Sequence, residues 1–271
     1  MLVTVDTGGT KTLVTSFERD GTKGEVIKFA TPEYVDDYVT LLRDTIQGQY
    51  GDQTVEAIVI ALPGIVKDGV AIWCNNLHWK NFDARTALAG VLGDTPVFIE
   101  NDANLAGLAE TRILTPAPAS SLYVTISTGI GTGIITNGQI DPGLRYSEGG
   151  RALVEFDGMV REWESFASGK AIYAAYGQYA RDITSERSWQ QIADRISRGF
   201  LAIIPFVQPD IIIIGGSIGT YFAHYGSQLE ALLTERLPAH IPCPRLQAAA
   251  HPEEAVIYGC YYHALDCLAR S

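Results

Sequence analysis

Two stretches of the chain carry the same alternation of apolar and polar positions. In Val3-Thr4-Val5-Asp6-Thr7-Gly8-Gly9-Thr10-Lys11, a β-branched run enters a Thr/Gly turn, and a second apolar run, Thr12 to Phe17, leaves it. Val124-Thr125-Ile126-Ser127-Thr128-Gly129-Ile130-Gly131-Thr132 repeats the pattern, with Gly133 to Thr136 as the returning run. This predicts a strand, a hairpin-like loop and a returning strand in each place. Aligned without gaps, the two stretches share Val, Thr, Thr, Gly and the closing Thr15 and Thr136. Such internal similarity reads as a repeated architecture.

The remaining periodicities fill in an alternation of strands and helices. Gly24 to Phe29 reads as a third strand, and Val35, Tyr38, Val39, Leu42 and Ile46 mark one face of a helix. Val55 to Leu62 is a continuous apolar run, a buried strand that stops at Pro63-Gly64, and Val70 to Trp73 is a short strand. Asn75 to Trp79 reads as a polar and aromatic loop, and Asp83 as the cap of a helix through Leu92. Pro96 to Ile99 is a strand running into Glu100-Asn101-Asp102-Ala103-Asn104, and a small-residue helix follows to about Ile113. In the second half, Gln139 to Gly150 is a loop, and Trp163 to Tyr179 is helical with a break at Ser168-Gly169. Ile192, Ile196, Phe200, Ile203 and Val207 form a helical stripe. Ile211 to Ile214 is a buried strand, and helices follow at 223–236 and 255–269. These elements predict two α/β domains, residues 1–115 with the C-terminal helix 255–271, and residues 118–254, parted at Pro116-Ala117-Pro118. Loops at strand ends would then face a cleft between them.

Composition narrows the classes. With 271 residues, 46% of them hydrophobic, there is ample material for a core. Twenty Lys and Arg against 31 Asp and Glu leave a formal charge of −11, with no basic run to attract nucleic acid. Cys74, Cys243, Cys260 and Cys267 make no close pair, so buried reduced thiols are expected and a disulfide framework is not. No apolar run is long enough for a bilayer, and the chain enters a strand at once and not a signal peptide, which fits a cytoplasmic protein.

The candidate chemistry lies at the strand ends. Backbone N–H groups and threonine hydroxyls in the two Thr/Gly loops suit a phosphate, and the loops could grip one polyphosphate from two sides. Glycine there allows positive φ and a close ligand. Asp6 beside phosphates would hold Mg²⁺ through water. Asp102, where a strand gives way to a helix, can take a proton from a hydroxyl that Asn101 orients. The other reading of Asp102 is a helix N-cap. Glu148 and Glu164 can hydrogen-bond sugar hydroxyls or be acidic surface residues. Gly215-Gly216-Ser217 would let a flat base lie against the backbone, or is a tight turn.

Together these residues resemble the ROK sugar kinases. Asp6 to Lys11 matches their DxGGTK start, Asn75 to Trp79 resembles NLxxW, and Glu100 to Asn104 matches ENDAN. Ser127 to Gly133 resembles the second phosphate loop, and Ile212 to Ser217 the IGG(S/G) nucleotide motif. The resemblance implies an actin/hexokinase-like (ribonuclease H-like) pair of α/β domains around a hinge. It implies transfer of the ATP γ-phosphoryl group to a hexose hydroxyl, with Mg²⁺ as cofactor. By position it makes Asp102 the catalytic base and gives a sugar-contacting set of Gly64, Asn76, Asn101, Asp102, Glu148, Arg151 and Glu164. The nucleotide set is Thr7, Gly8, Gly9, Thr10, Lys11, Thr128, Gly129, Thr132, Gly133, Gly215, Gly216 and Ser217, with Asp6 on Mg²⁺. Many members are homodimers. The family's zinc pattern is missing: Arg151 stands where GExGH has histidine, and Glu155 to Trp163 holds no cysteine. Arginine cannot ligate zinc, so no zinc is expected. The alternatives are a non-catalytic sugar-binding regulator, which in this family carries an N-terminal helix-turn-helix, and an actin-like ATPase.

Overall fold

The computed structural model describes residues 1–74, 77–252 and 254–270. They form two compact units, residues 1–109 with 256–271, and residues 110–255. The division falls inside a helix, between Ala109 and Glu110, and not at the prolines 116–118.

In the first unit, β1 (Leu2–Thr7), β2 (Lys11–Phe17) and β3 (Ile27–Ala30) form an antiparallel meander. Helix α1 (Val35–Tyr50) follows, then β4 (Ala57–Leu62), which pairs parallel to β1. A small sheet of β5 (Ile65–Lys67), β6 (Val70–Cys74) and β7 (Trp79–Asp83) leads into α2 (Ala84–Leu88). Strand β8 (Val97–Asn101) then pairs parallel to β4, and α3 (Asp102–Arg112) leaves it. The sheet order is β3-β2-β1-β4-β8.

The unbroken apolar run of β4 has two jobs, because both faces of the sheet are covered. Ile58, Ile60 and Leu62 join Tyr38, Leu42 and Ile46 of α1 in one core. The intervening Ala57, Val59 and Ala61 join Ile257, Cys260 and Ala264 of the C-terminal helix, Ala255–Arg270, in another. Small residues face that helix because it packs closely. A Cβ at Gly259 would lie 1.9 Å from the carbonyl oxygen of Leu105 in α3.

The second unit repeats the plan. Strands β9 (Ser120–Ile126), β10 (Ile130–Thr136) and β11 (Gln139–Ile140) form the meander. A hairpin of β12 (Leu153–Phe156) and β13 (Met159–Glu162) precedes α4 (Glu164–Ala167), α5 (Gly169–Tyr176) and α6 (Glu186–Val207). Strand β14 (Ile211–Gly215) pairs parallel to β9; α7 (Gly216–Gly219), α8 (Gly226–Arg236) and β15 (Arg245–Ala248) follow. The order β11-β10-β9-β14-β15 matches the first sheet strand for strand, in sense as well as sequence.

Several expectations need correction. The third strand starts at Ile27 and not Gly24, since Gly24 and Glu25 turn their carbonyls to the Thr15 hydroxyl. Asp83 does cap a helix, accepting from the Thr86 N–H at 3.0 Å, but that helix ends at Leu88 because Gly90 takes φ +69°. Trp79 opens a strand; it does not close a loop. Of the cysteines, Cys74 and Cys260 are buried, whereas Cys243 and Cys267 are partly exposed.

Candidate functional site

In the first unit the site grows from three neighbouring strand ends. Asp6 of β1 is in register with Ala61 of β4, and Ala61 with Glu100 of β8. The C-terminal ends of parallel strands therefore bring Asp6, Gly64 and the segment Asn101-Asp102 side by side, the usual place for a ligand in such sheets.

Asn101 and Asp102 divide the work that the sequence left ambiguous. The cap of α3 is Asn101, whose Oδ1 accepts from the Asn104 N–H at 2.9 Å. Its Nδ2 donates to the Gly64 carbonyl at 2.8 Å and to Asp102 Oδ1 at 3.2 Å. Gly64 has φ +80°, and a Cβ there would sit 2.1 Å from the Trp73 carbonyl oxygen, so only glycine fits. Buried Glu100 holds the corner from behind, accepting from Asn101 N–H and Asn104 Nδ2. Asp102 is thereby spared from capping. Its carboxylate accepts the Ala103 N–H at 2.8 Å.

Burial pushes the Asp102 carboxyl up to about 6, against hydrogen bonds from Ala103, its own N–H and Asn101. Burial also pushes Asp6 up, to about 7, with the Asp102 charge adding to it and Lys11 opposing. Two acids that resist ionisation together suit a divalent cation, which would lower both. Magnesium takes one or two carboxylates and completes its shell with phosphate oxygens and water, and Asp6 beside an exposed glycine turn offers that donor set. Among the described residues no three His, Cys, Asp or Glu gather as a larger cage.

The turn after β1 closes through Gly8 N–H to the Lys11 carbonyl, 2.9 Å. Thr31 braces it, donating to the Gly8 carbonyl at 2.8 Å. Gly9, Thr10 and Lys11 are exposed at its tip. Contrary to expectation, the turn glycines Gly8 and Gly129 do not use positive φ. They serve by lacking a Cβ, which at Gly8 would lie 3.1 Å from the Lys11 carbonyl oxygen.

In the second unit the matching turn, Ser127 to Ile130, meets a carboxylate. Glu164 Oε2 accepts the Ile130 N–H at 2.8 Å, and a Cβ on Gly129 would fall 2.3 Å from that oxygen. Glu164 Oε1 pairs with Arg151 at 3.2 Å, and Arg151 also binds Glu162 at 2.6 Å, with Glu148 contributing charge nearby. Glu148, Arg151 and Glu164 thus gather at one place. Asn76 lies outside the described residues.

Part of the nucleotide set gathers too. A cavity of about 590 Å³ is lined by Ser127 and Thr128, by Gly169, Lys170 and Tyr173 of α5, by Tyr179 and Arg181, and by Ser217 and Tyr221. The N-terminus of α5 abuts the turn: Gly169 N–H donates to the Ser127 carbonyl at 2.6 Å, and Ser168 caps the helix. Helix N-termini can take anions, although here the Gly169 and Ala171 N–H groups already have partners in the chain. Other residues of the set do not reach the cavity. Thr132 is buried, and its hydroxyl accepts the Gly149 N–H at 3.0 Å. Gly133 is buried inside β10. Gly215 and Gly216 are spent on the chain itself: added Cβ atoms would meet the Tyr123 hydroxyl at 2.3 Å and the Ile126 carbonyl oxygen at 2.6 Å, and Gly216 has φ +75°. Sequence reasoning missed Lys170, Tyr173, Tyr179, Arg181 and Tyr221. The one local signal was a lysine just after the Ser168-Gly169 helix start.

A five-stranded sheet of one order, occurring twice, each with a glycine turn between its first two antiparallel strands, is the actin/hexokinase-like fold. The chain belongs to the ROK family, whose model matches residues 2–266. It is 32% identical to the polyphosphate glucokinase of Mycobacterium leprae over 59% of this chain, spanning less than half, 45%, of that protein. It is 26% identical to the N-acetylmannosamine kinase of Escherichia coli O7:K1 over 96% of this chain and 97% of that one. The family also includes regulators: the Bacillus subtilis xylose repressor is 30% identical over 55% of this chain and 39% of its own length. Among solved structures, the ROK family glucokinase of Streptomyces griseus in complex with glucose and AMPPNP superimposes with a TM-score of 0.81 at 22% identity, covering 98% and 99% of the two chains. Among the described residues, no helix is long and apolar enough to cross a membrane.

Proposed function

We propose that this protein is an ATP-dependent hexose kinase. The observation that carries the reading is Asp102: a carboxylate relieved of capping by Asn101, raised to about 6, at a strand end beside Asp6. A base poised just below neutrality accepts a proton in the transition state without being lost to protonation at physiological pH. In this reading Asn101 orients the attacking hydroxyl and Asp102 takes its proton. Gly64, Asn76, Glu148, Arg151 and Glu164 serve as further sugar-side residues.

Phosphoryl transfer asks the protein mainly for alignment and charge stabilisation. Thr7, Gly8, Gly9, Thr10 and Lys11 would align the transferring phosphate. Thr128 and Gly129, with the N-terminus of α5, would hold the rest of the donor phosphates. Asp6 would hold Mg²⁺, which when bound supplies charge neutralisation at the phosphates. Tyr173, Tyr179 and Tyr221 give the cavity aromatic faces on which a nucleotide base can stack. The relatives include enzymes named for polyphosphate, so the donor should be tested with both ATP and polyphosphate.

The alternative reading is sugar binding without turnover, since the relatives include a xylose repressor. The test is a coupled ADP-release assay over a hexose and N-acetylated amino-sugar panel, with Asp102→Asn beside the wild type. The kinase reading expects turnover of at least one sugar, lost in the variant while calorimetric sugar binding persists. Sugar binding by the wild type with no turnover from either donor would favour the repressor-like reading.

A further inference from the structure

Tyr38 was legible in the sequence as one member of an apolar helical stripe. In the structure its ring is wholly buried, yet its hydroxyl lies 2.7 Å from the hydroxyl of Thr7, also wholly buried. Thr7 is the last residue of β1, between Asp6 and Gly8, so this pair sits where the strand becomes the phosphate turn. Burial pushes the Tyr38 hydroxyl above its ordinary value, so it is a neutral O–H at any physiological pH. A phenylalanine would fill the same core without a polar atom to satisfy.

The ring has its own neighbours. It lies 4.8 Å from the Trp79 ring and edge-on to Phe82. Trp79 is itself anchored, its indole N–H donating to the Glu33 carbonyl at 2.8 Å. Tyr38 therefore cannot follow Thr7 if the turn shifts; it is a fixed post. Thr31 holds the other limb of the turn through the Gly8 carbonyl and the Thr12 hydroxyl. The turn is pinned at both limbs by neutral hydroxyls.

We infer that Tyr38 is a positioning residue for the donor phosphates: by fixing the Thr7 hydroxyl it sets the exit of β1 and hence the aim of the Gly8-Gly9-Thr10 amides. This rests on the kinase reading. Tyr38 touches no substrate in it and acts only through Thr7. Its loss should fall on the donor and leave the acceptor alone.

The test compares Tyr38→Phe, Thr7→Val, the double variant and Thr7→Ser in the full chain, using ATP with the panel sugar turned over fastest. Tyr38→Phe is expected to lower kcat/KM for ATP about tenfold, the worth of one hydrogen bond, with the sugar KM within about twofold of wild type. Thr7→Val should do the same, and the double variant should be no worse than either, because the two hydroxyls act as one pair. Thr7→Ser, which keeps the hydroxyl, should retain most of the activity. Multiplicative losses in the double variant would overturn the inference, as would an equal loss in sugar KM or no loss at all. If Tyr38→Phe fails to fold, Thr7→Val against Thr7→Ser decides the matter alone. If the wild type turns over no sugar with ATP, the kinase reading falls separately. The inference is then judged by calorimetry with Mg·AMPPNP, where a tenfold weaker affinity in Tyr38→Phe supports it and an unchanged affinity overturns it.

Discussion

The two glycine turns occupy the same place in the same strand order, yet they are held by different chemistry. The first is pinned by hydroxyls: Tyr38 on Thr7, and Thr31 on the Gly8 carbonyl. The second is pinned by a carboxylate, Glu164 on the Ile130 N–H, which is balanced by Arg151. The difference follows from what each turn already carries. Asp6 and Lys11 flank the first turn, and Ser127 and Thr132 take those places in the second. Asp6 already resists ionisation because of burial and Asp102. A third carboxylate there would raise the cost further, so a neutral brace is the compatible one. The uncharged second turn tolerates an ionised brace, provided a cation sits against it. One architecture thus accommodates two electrostatic solutions, and each should fail under a different stress.

The largest expected effect tests the charged side. Asp102→Asn keeps the Asn101 cap and the corner around Gly64, so folding and sugar binding should survive. Turnover should fall by about 10² to 10⁴, the usual worth of a general base. Near wild-type kcat would remove Asp102 from the role of base.

Next in size is a pair of matched substitutions. Gly129→Ala drives a Cβ to within 2.3 Å of Glu164 Oε2 and must expel that carboxylate from the Ile130 N–H. Leaving a partly buried N–H without its partner costs about 1–3 kcal/mol. Gly8→Ala meets only the Lys11 carbonyl oxygen at 3.1 Å, which a shift of a few tenths of an ångström relieves. Thermal unfolding should therefore show a clear drop for Gly129→Ala and a smaller one for Gly8→Ala. Equal drops would mean that Glu164 is not what holds the second turn.

How much of this was legible beforehand depends on distance along the chain. The two turns, the buried strands and the long helices were plain, because period and turn chemistry are local. The Asn101-Asp102 corner was found, but its division of labour was not, since either residue caps a helix well and only the hydrogen bond to Asn104 decides. Tyr38 looked like any apolar residue of its stripe, because periodicity reports a face and not a hydroxyl's partner. Glu164 and Ile130 are 34 residues apart, so a glycine made necessary by that carboxylate carries no local mark. The cavity-lining Tyr173, Tyr179 and Tyr221 come from separate segments that only the fold assembles. The strands of β5 to β7 and β12 to β13 were overlooked in the main because short hairpins hold too few residues to show a period.

A smaller effect separates the turns by pH. Asp6 and Asp102 have folded values near 7 and 6, above the ordinary carboxylate range. Acids raised on folding favour the folded state fully only below their unfolded value, near 4, and that contribution fades as pH rises through the folded values. The unliganded protein should therefore lose thermal stability between about pH 5 and 8, and Mg·AMPPNP should restore it at the upper end. In Asp102→Asn the decline should shrink and move to lower pH, because one acid is gone and its charge no longer raises Asp6. A flat profile from pH 5 to 8 in the wild type would contradict the raised values of Asp6 and Asp102. Substitutions at the second turn, which leave Asp6 and Asp102 in place, should leave the slope alone.

The smallest effect belongs to salt, and it is the one that addresses the ionic brace. Arg151 is partly exposed and shared between Glu162 and Glu164, so the pair is screened by water and worth at most about 1 kcal/mol. Arg151→Gln should lower the unfolding temperature slightly at low ionic strength, and the gap from wild type should narrow as salt rises towards 1 M, where the Debye length is about 3 Å. Tyr38→Phe, which removes a neutral pair, should keep the same gap at every salt concentration. If the Arg151→Gln gap persists unchanged in high salt, Arg151 acts by packing and not by charge, and the electrostatic contrast between the turns loses its second half. If instead Tyr38→Phe proves salt-sensitive, the hydroxyl pair is coupled to the Asp6 charge, and the first turn is no longer the neutral member of the comparison.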